Sequence, residues 1–138
     1  MPQGKLLGLE YNYSGMRIEQ FSDFNLQRKE KGHGATMKFR YFNKEVSYEV
    51  SDTLLDAAKR IIEEEKMYEY GLSYSWEVMN GERILDGFYW SFHALFENKD
   101  TINSTGSNAS PEGEGLHRIS RLLHDAAMKC VEKDNPQE

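Results

Sequence analysis

Apolar residues recur along this chain with two periods. From Lys5 to Val50 they alternate with polar residues, from Ser51 they fall at helical spacing, around Trp90 they alternate again, and the last part returns to helical spacing. A period of two puts alternate residues on opposite faces of a strand. Spacings of three and four draw one stripe down a helix. The first alternation, Lys5 to Tyr13, places Leu7, Leu9, Tyr11 and Tyr13 on one face, and Ser14-Gly15 signals a turn. Met16 to Arg28 is a second extended segment with Met16, Ile18, Phe24 and Leu26 in parity. Gln20 and Ser22 interrupt it, which predicts a bulge or bend near Ser22-Asp23. A polar loop, Arg28 to Gly34, leads to a third strand, Ala35 to Phe42, with Met37, Phe39 and Tyr41 inward. Asn43-Lys44 reads as a two-residue turn into a fourth strand, Glu45 to Val50, with Val46, Tyr48 and Val50 inward. Short connections between four successive strands predict an antiparallel meander.

Ser51 then reads as a helix cap, with Asp52 favourable beside the helix dipole. Leu54, Leu55, Ala58, Ile61 and Ile62 form the apolar stripe, and Gly71 ends the helix after fraying near Tyr68. Tyr74, Trp76 and Val78 alternate and predict a strand within Leu72 to Ile84, followed by an Asn80-Gly81 turn. Asp86-Gly87 is a further turn. After it Phe88, Trp90, Phe92, Ala94 and Phe96 share one side of a strand, and Tyr89, Ser91, His93, Leu95 and Glu97 the other. An aromatic ring buries roughly 150–250 Å², so this strand is expected near the middle of the sheet with Trp90 and Phe92 in the core. Thr101 to Thr105 returns as a hairpin. Ser110-Pro111 suggests a cap and first helical position, and the last helix is expected from Glu112 or Glu114 to Lys133. Its stripe is Leu116, Ile119, Leu123, Ala126, Ala127 and Cys130.

Two helices separated in sequence from most of the strands make an α+β pattern. The expectation is an antiparallel sheet of about five to seven strands with both helices packed on one face. Residues 1–138 suit a single domain, with residues 134–138 expected to be a disordered tail.

Composition changes this picture little. The net charge of −6 argues against nonspecific nucleic-acid binding, which needs a basic stripe. No apolar run approaches a membrane span of about 20 residues. No basic-then-apolar signal region follows Met1, so the expected setting is the cytoplasm. The single cysteine, Cys130, forms no internal disulfide and sits at an apolar helical position, as an inert thiol would.

Candidate chemistry is sparse. His117 and His124 lie seven apart, on one helix face but too far along it to share a metal. His33 stands between glycines in a loop. Glu63-Glu64-Glu65 reads as a solvated face. Asp86 precedes a glycine and reads first as a turn former. The loop from Gly106 to Gly115 lacks a phosphate-loop spacing, and Glu112 and Glu114 would repel an anion. Neither a bound metal nor a cofactor is expected.

The spacing D-G-x-x-W-x-F-x-x-x-F, then a hairpin, then G-x-N-A-x-P and an amphipathic helix resembles a small bacterial α+β domain met in uncharacterised proteins. Asp86, Gly87, Trp90, Phe92, Gly106, Asn108, Ala109 and Pro111 carry the resemblance, which covers about the C-terminal third. It implies a fold and no particular activity. Relatives tend to have an aromatic residue and a Leu after the Pro, where this chain has Glu-Gly-Glu-Gly before Leu116.

Two functional expectations follow. The first is a non-catalytic module that binds a protein or peptide, not nucleic acid or a membrane. Two helices cover one sheet face and leave the other open, with Tyr89, Ser91, His93 and Leu95 on the aromatic strand and Lys38, Arg40 and Phe42 on the third. Tyr89, His93, Arg40 and Phe42 are the expected binding residues, because Tyr and Arg are enriched at binding hot spots. The alternative is a small hydrolase-like enzyme using Asp86 and His93 beside the Gly106–Asn108 loop. That reading needs Asp86, His93 and Asn108 to converge in a deep pocket.

Overall fold

The first four strands are β1 (Leu6–Ser14), β2 (Phe21–Arg28), β3 (Ala35–Tyr41) and β4 (Lys44–Val50). Helix α1 (Thr53–Glu64) and a 3₁₀ turn (Met67–Glu69) come next, followed by β5 (Ser73–Ser75), β6 (Tyr89–Phe96), β7 (Thr101–Ser107) and helix α2 (Gly115–Asp134). The structure, a computed structural model, describes residues 4–15, 20–75, 88–107 and 109–134. The expected strand positions Trp76 and Val78, the turns at Asn80-Gly81 and Asp86-Gly87, and residues 135–138 lie outside these. Asp134, expected to begin the tail, is the last residue of α2.

Seven strands form one sheet in the order β4-β3-β2-β1-β6-β7-β5. The α+β reading holds, with one difference. β5 runs parallel to β7, pairing Ser73 with Thr105 and Ser75 with Ser107, so the sheet is mixed. β4 and β5 lie at opposite edges. The chain between them crosses the width of the sheet through α1 instead of turning back in a hairpin, which frees its direction from the antiparallel rule. The aromatic strand β6 lies beside the central strand β1.

Two irregularities decide what the first strands bury. The β1–β6 register shifts between Leu6 and Gly8, so Leu6 is fully buried and Leu7 only half-buried, against simple alternation. In β2 the register with β3 shifts between Ser22 and Asn25, and Asp23 takes φ 52°. This is the bulge the interrupted parity predicts. The extra residue turns both Phe21 and Phe24 inward.

Both helices pack on one face. Leu55, Ala58 and Ile62 of α1 and Ile119, Leu123 and Ala127 of α2 are buried with Leu9, Leu26, Met37, Phe39, Phe92 and Phe96 of the sheet. Trp90 and Phe92 are core residues, as their parity requires. Arg28 ties the layers together, donating from Nε to the Leu6 carbonyl at 3.0 Å and from Nη2 to Asp56 at 2.9 Å.

The helix boundaries move by a few residues. Asp52, not Ser51, takes the N-cap position of α1, although the Ser51 hydroxyl accepts the Thr53 N–H at 3.2 Å. The helix ends at Glu64, and Lys66, at φ 51°, starts the 3₁₀ turn that buries Met67. α2 begins at Gly115, after the Glu-Gly-Glu segment and four residues past Pro111. The end of α1 supplies the partners for its first turn. Glu65 accepts the Glu114 N–H at 3.2 Å and Arg118 Nη1 at 3.0 Å, while Glu64 accepts Arg118 Nη2 at 2.8 Å. Free amides of a helix start are met here by side chains distant in sequence, which no local capping rule anticipates.

Candidate functional site

The opposite sheet face is exposed. On β6, Tyr89 is 59% and Leu95 43% accessible. The sequence-predicted residues share this face only in part. His93 Nδ1 lies 2.8 Å from Asn103 Oδ1 on β7. Arg40 lies three strands away on β3, its Nε 3.9 Å from Asp23 and its Nη2 donating to the Asn43 carbonyl at 3.1 Å. Phe42 requires a correction. Tyr41 pairs with Lys44, so the turn is Phe42-Asn43, not Asn43-Lys44. Phe42 stands at the hairpin tip with φ 55°, off the strand, its ring 5.1 Å from that of Tyr41. A two-residue hairpin needs positive φ at its first central residue, and the one-residue shift moves Phe42 off the sheet surface. A shallow depression on this face is lined by Glu10, Asp23, Asn25, Lys38, Arg40 and Glu45, among others. Most of these already bond one another: Asn25 donates to Glu10 at 2.9 Å, and Arg40 faces Asp23. Asp86 and Asn108 lie outside the described residues, so the structure leaves their convergence with His93 unaddressed.

A different concavity has the features of a ligand site. Between the sheet and α2 lies an open cavity of about 510 Å³. Its sheet wall is aromatic: Tyr11 and Tyr13 from β1, Phe21 and Phe24 from β2, Phe88 just before β6 and Trp90 at its start. The β2 bulge is what delivers two successive rings here. Tyr13 and Phe88 stack at 5.8 Å. Trp90 is fixed from behind, its Nε1–H donating to the Ala109 carbonyl at 2.7 Å.

The helix wall is polar. Leu116 contributes at its start, and His117, Ser120, Arg121, His124 and Asp125 follow at spacings of three and four, so they share one face of α2. This stripe runs beside the apolar stripe of Ile119, Leu123 and Ala127 that anchors the helix. His124 is held edge-on to Phe24, with ring centroids 5.0 Å apart. Its Nδ1 lies 2.8 Å from the Ser120 carbonyl, which can only accept, so Nδ1 carries a proton. In the neutral ring Nε2 is then the acceptor, with no partner among the described residues. Arg121 and Asp125 form no ion pair among the described residues, whereas Arg118, one turn earlier, is clamped by Glu64 and Glu65.

Chemically, this is a binding cavity with an apolar wall and a few polar groups at one side, the usual character of small-ligand sites. Among the described residues no group of three His, Cys, Asp or Glu side chains is placed to hold a metal. Burial pushes the Cys130 thiol up, as suits an unreactive position. Alternation alone missed this site. The shared face of His117 and His124 was the available signal, but its meaning depends on which strands α2 lies across. No helix among the described residues is long and apolar enough to cross a membrane. Compared with protein-family models, curated proteins and solved structures, the chain matches none.

Proposed function

We propose that this protein is a non-catalytic interaction module that takes a ring-bearing apolar group into the cavity between the sheet and α2. One observation carries the reading: six aromatic side chains wall a cavity of about 510 Å³ whose other side carries His117, Arg121, His124 and Asp125. Rings packed on rings gain contact energy beyond their buried area. The test is a two-dimensional NMR titration with small ring compounds. Shifts should cluster at Tyr11, Phe24, Trp90 and His124, and Ser120→Trp, which fills the cavity, should remove them. Shifts confined to the open sheet face, or none at all, would overturn it.

A second reading places a protein or peptide partner on the open face around Tyr89 and His93. The 59% exposure of Tyr89 favours it, since exposed aromatic side chains mark interaction surfaces, and Leu95 at the other end of the same strand is exposed as well. A cytoplasmic setting without nucleic-acid partners accompanies both readings and rests on the sequence alone, as a bacterial origin rests on the resemblance. A hydrolase using Asp86 and His93 is less favoured, because the His93 ring already meets Asn103 on the open face.

A further inference from the structure

We infer that the cavity selects an aromatic carboxylate: a flat ring held against the sheet wall, with its anionic group on Arg121 and His117. This rests on the cavity reading above and names the ligand class for the same site. Three observations converge on it. The first is the wall itself. Rings of Tyr11, Phe24 and Trp90 offer flat faces and edges to another ring, and the volume suits one or two fused rings with a short substituent. The second is charge. The chain carries 23 acidic and 17 basic residues, yet the cavity's helix side is balanced, with one acid, Asp125, against one arginine, Arg121, and two histidines that add ring nitrogens without fixed charge. Arg121 has no acidic partner among the described residues, while its neighbour Arg118 has two. An unpaired guanidinium at the rim of an apolar cavity presents a planar fork of donors, which matches a carboxylate. The third is position. His117 and Arg121 are four apart on one helix face, both exposed, so an anion held between them remains partly hydrated while the ring is buried. His124 sits deeper, against Phe21 and Phe24, and its free Nε2 suits a ring N–H or O–H.

A cationic ring is the competing ligand, because aromatic walls and Asp125 would also attract an amine. The experiment separates the two with matched probes. Indole-3-acetate, the neutral indole-3-acetamide and the cationic tryptamine are titrated by calorimetry and NMR against the full chain and against Arg121→Gln. Phenylacetate and phenylacetamide form a second pair, so that ring size does not decide the result. The expected result is that each acid binds about tenfold more tightly than its amide, equivalent to about 1.4 kcal/mol. Arg121→Gln should bring the acid down to the amide and leave the amide unchanged. A peptide ending in phenylalanine is included to distinguish a free acid from a chain terminus, and free acids should bind more tightly. If acid, amide and amine bind alike, or if tryptamine binds best, the carboxylate inference fails while the cavity reading stands. If the terminal peptide binds more tightly than phenylacetate, the free-acid class is overturned. If no probe shifts Trp90 or His124, both readings fail. Arg121 is exposed, so loss of fold is not expected, and the unfolding midpoint of the variant checks this directly.

Discussion

The indole of Trp90 lies directly over Gly106, its cross-strand partner on β7. A Cβ added at Gly106 would collide with the Trp90 ring and crowd the Ala109 carbonyl that receives the Trp90 N–H. The two ends of the motif read in the sequence, the Trp strand and the Gly-x-Asn-Ala segment, are thus one packing unit. The glycine is there for space and not for a positive φ.

This unit predicts a pair of stability losses. Trp90→Ala should cost about 3–5 kcal/mol, as buried aromatic truncations do. Gly106→Ala should cost about 1–3 kcal/mol through overpacking. In Trp90→Ala the space above Gly106 is vacated, so adding Gly106→Ala should then cost far less than it does alone. Denaturant unfolding of the two single variants and the double variant measures this. Additive losses would show that the indole and Gly106 are not in contact.

Tyr70 predicts an alkaline effect. Its phenol is pushed from 10.0 up to about 12, mainly by burial, with Tyr74 and Glu65 adding to the shift and the Leu116 N–H opposing it. Between those two values the folded chain keeps a proton that the unfolded chain has lost. The contribution is therefore complete below pH 10.0 and disappears as pH rises through about 12. Unfolding midpoints followed across that interval should fall less steeply for Tyr70→Phe than for the parent. Equal slopes would show that burial does not hold the Tyr70 proton in the folded chain.

The open face predicts tolerance. Tyr89 is 59% exposed and neither it nor His93 belongs to the core cluster, so Tyr89→Ala with His93→Ala should shift stability by less than about 1 kcal/mol in total, as surface changes do. A loss near 3 kcal/mol, the scale of a core truncation, would mean that the face is covered. If a partner binds there, this double variant should lose it while retaining ring compounds in the cavity.

Periodicity along the chain supplied most elements and their inward faces, with exceptions such as Leu7, expected inward where the β1 register shift buries Leu6 instead. Alternation needs only neighbouring residues, so it assigned Met37, Phe39, Trp90 and Phe92 to the core and located the β2 bulge from two polar interruptions. Helical spacing did the same for Ile62, Ile119 and Leu123. The sequence put the turn at Asn43-Lys44, one residue late, because neither that pair nor Phe42-Asn43 carries the glycine that marks such a turn. It could not order the strands, place β5 parallel at the far edge, or start α2 at Gly115, where the partners are Glu65 and Tyr70 of an earlier segment. The cavity depends most plainly on packing between distant segments. Its rings come from β1, β2 and the start of the β6 segment and its polar groups from α2, and these meet only where the helix lies against the sheet. Periodicity states which side of an element is apolar, but the partner of that side is set by packing between elements far apart in the chain.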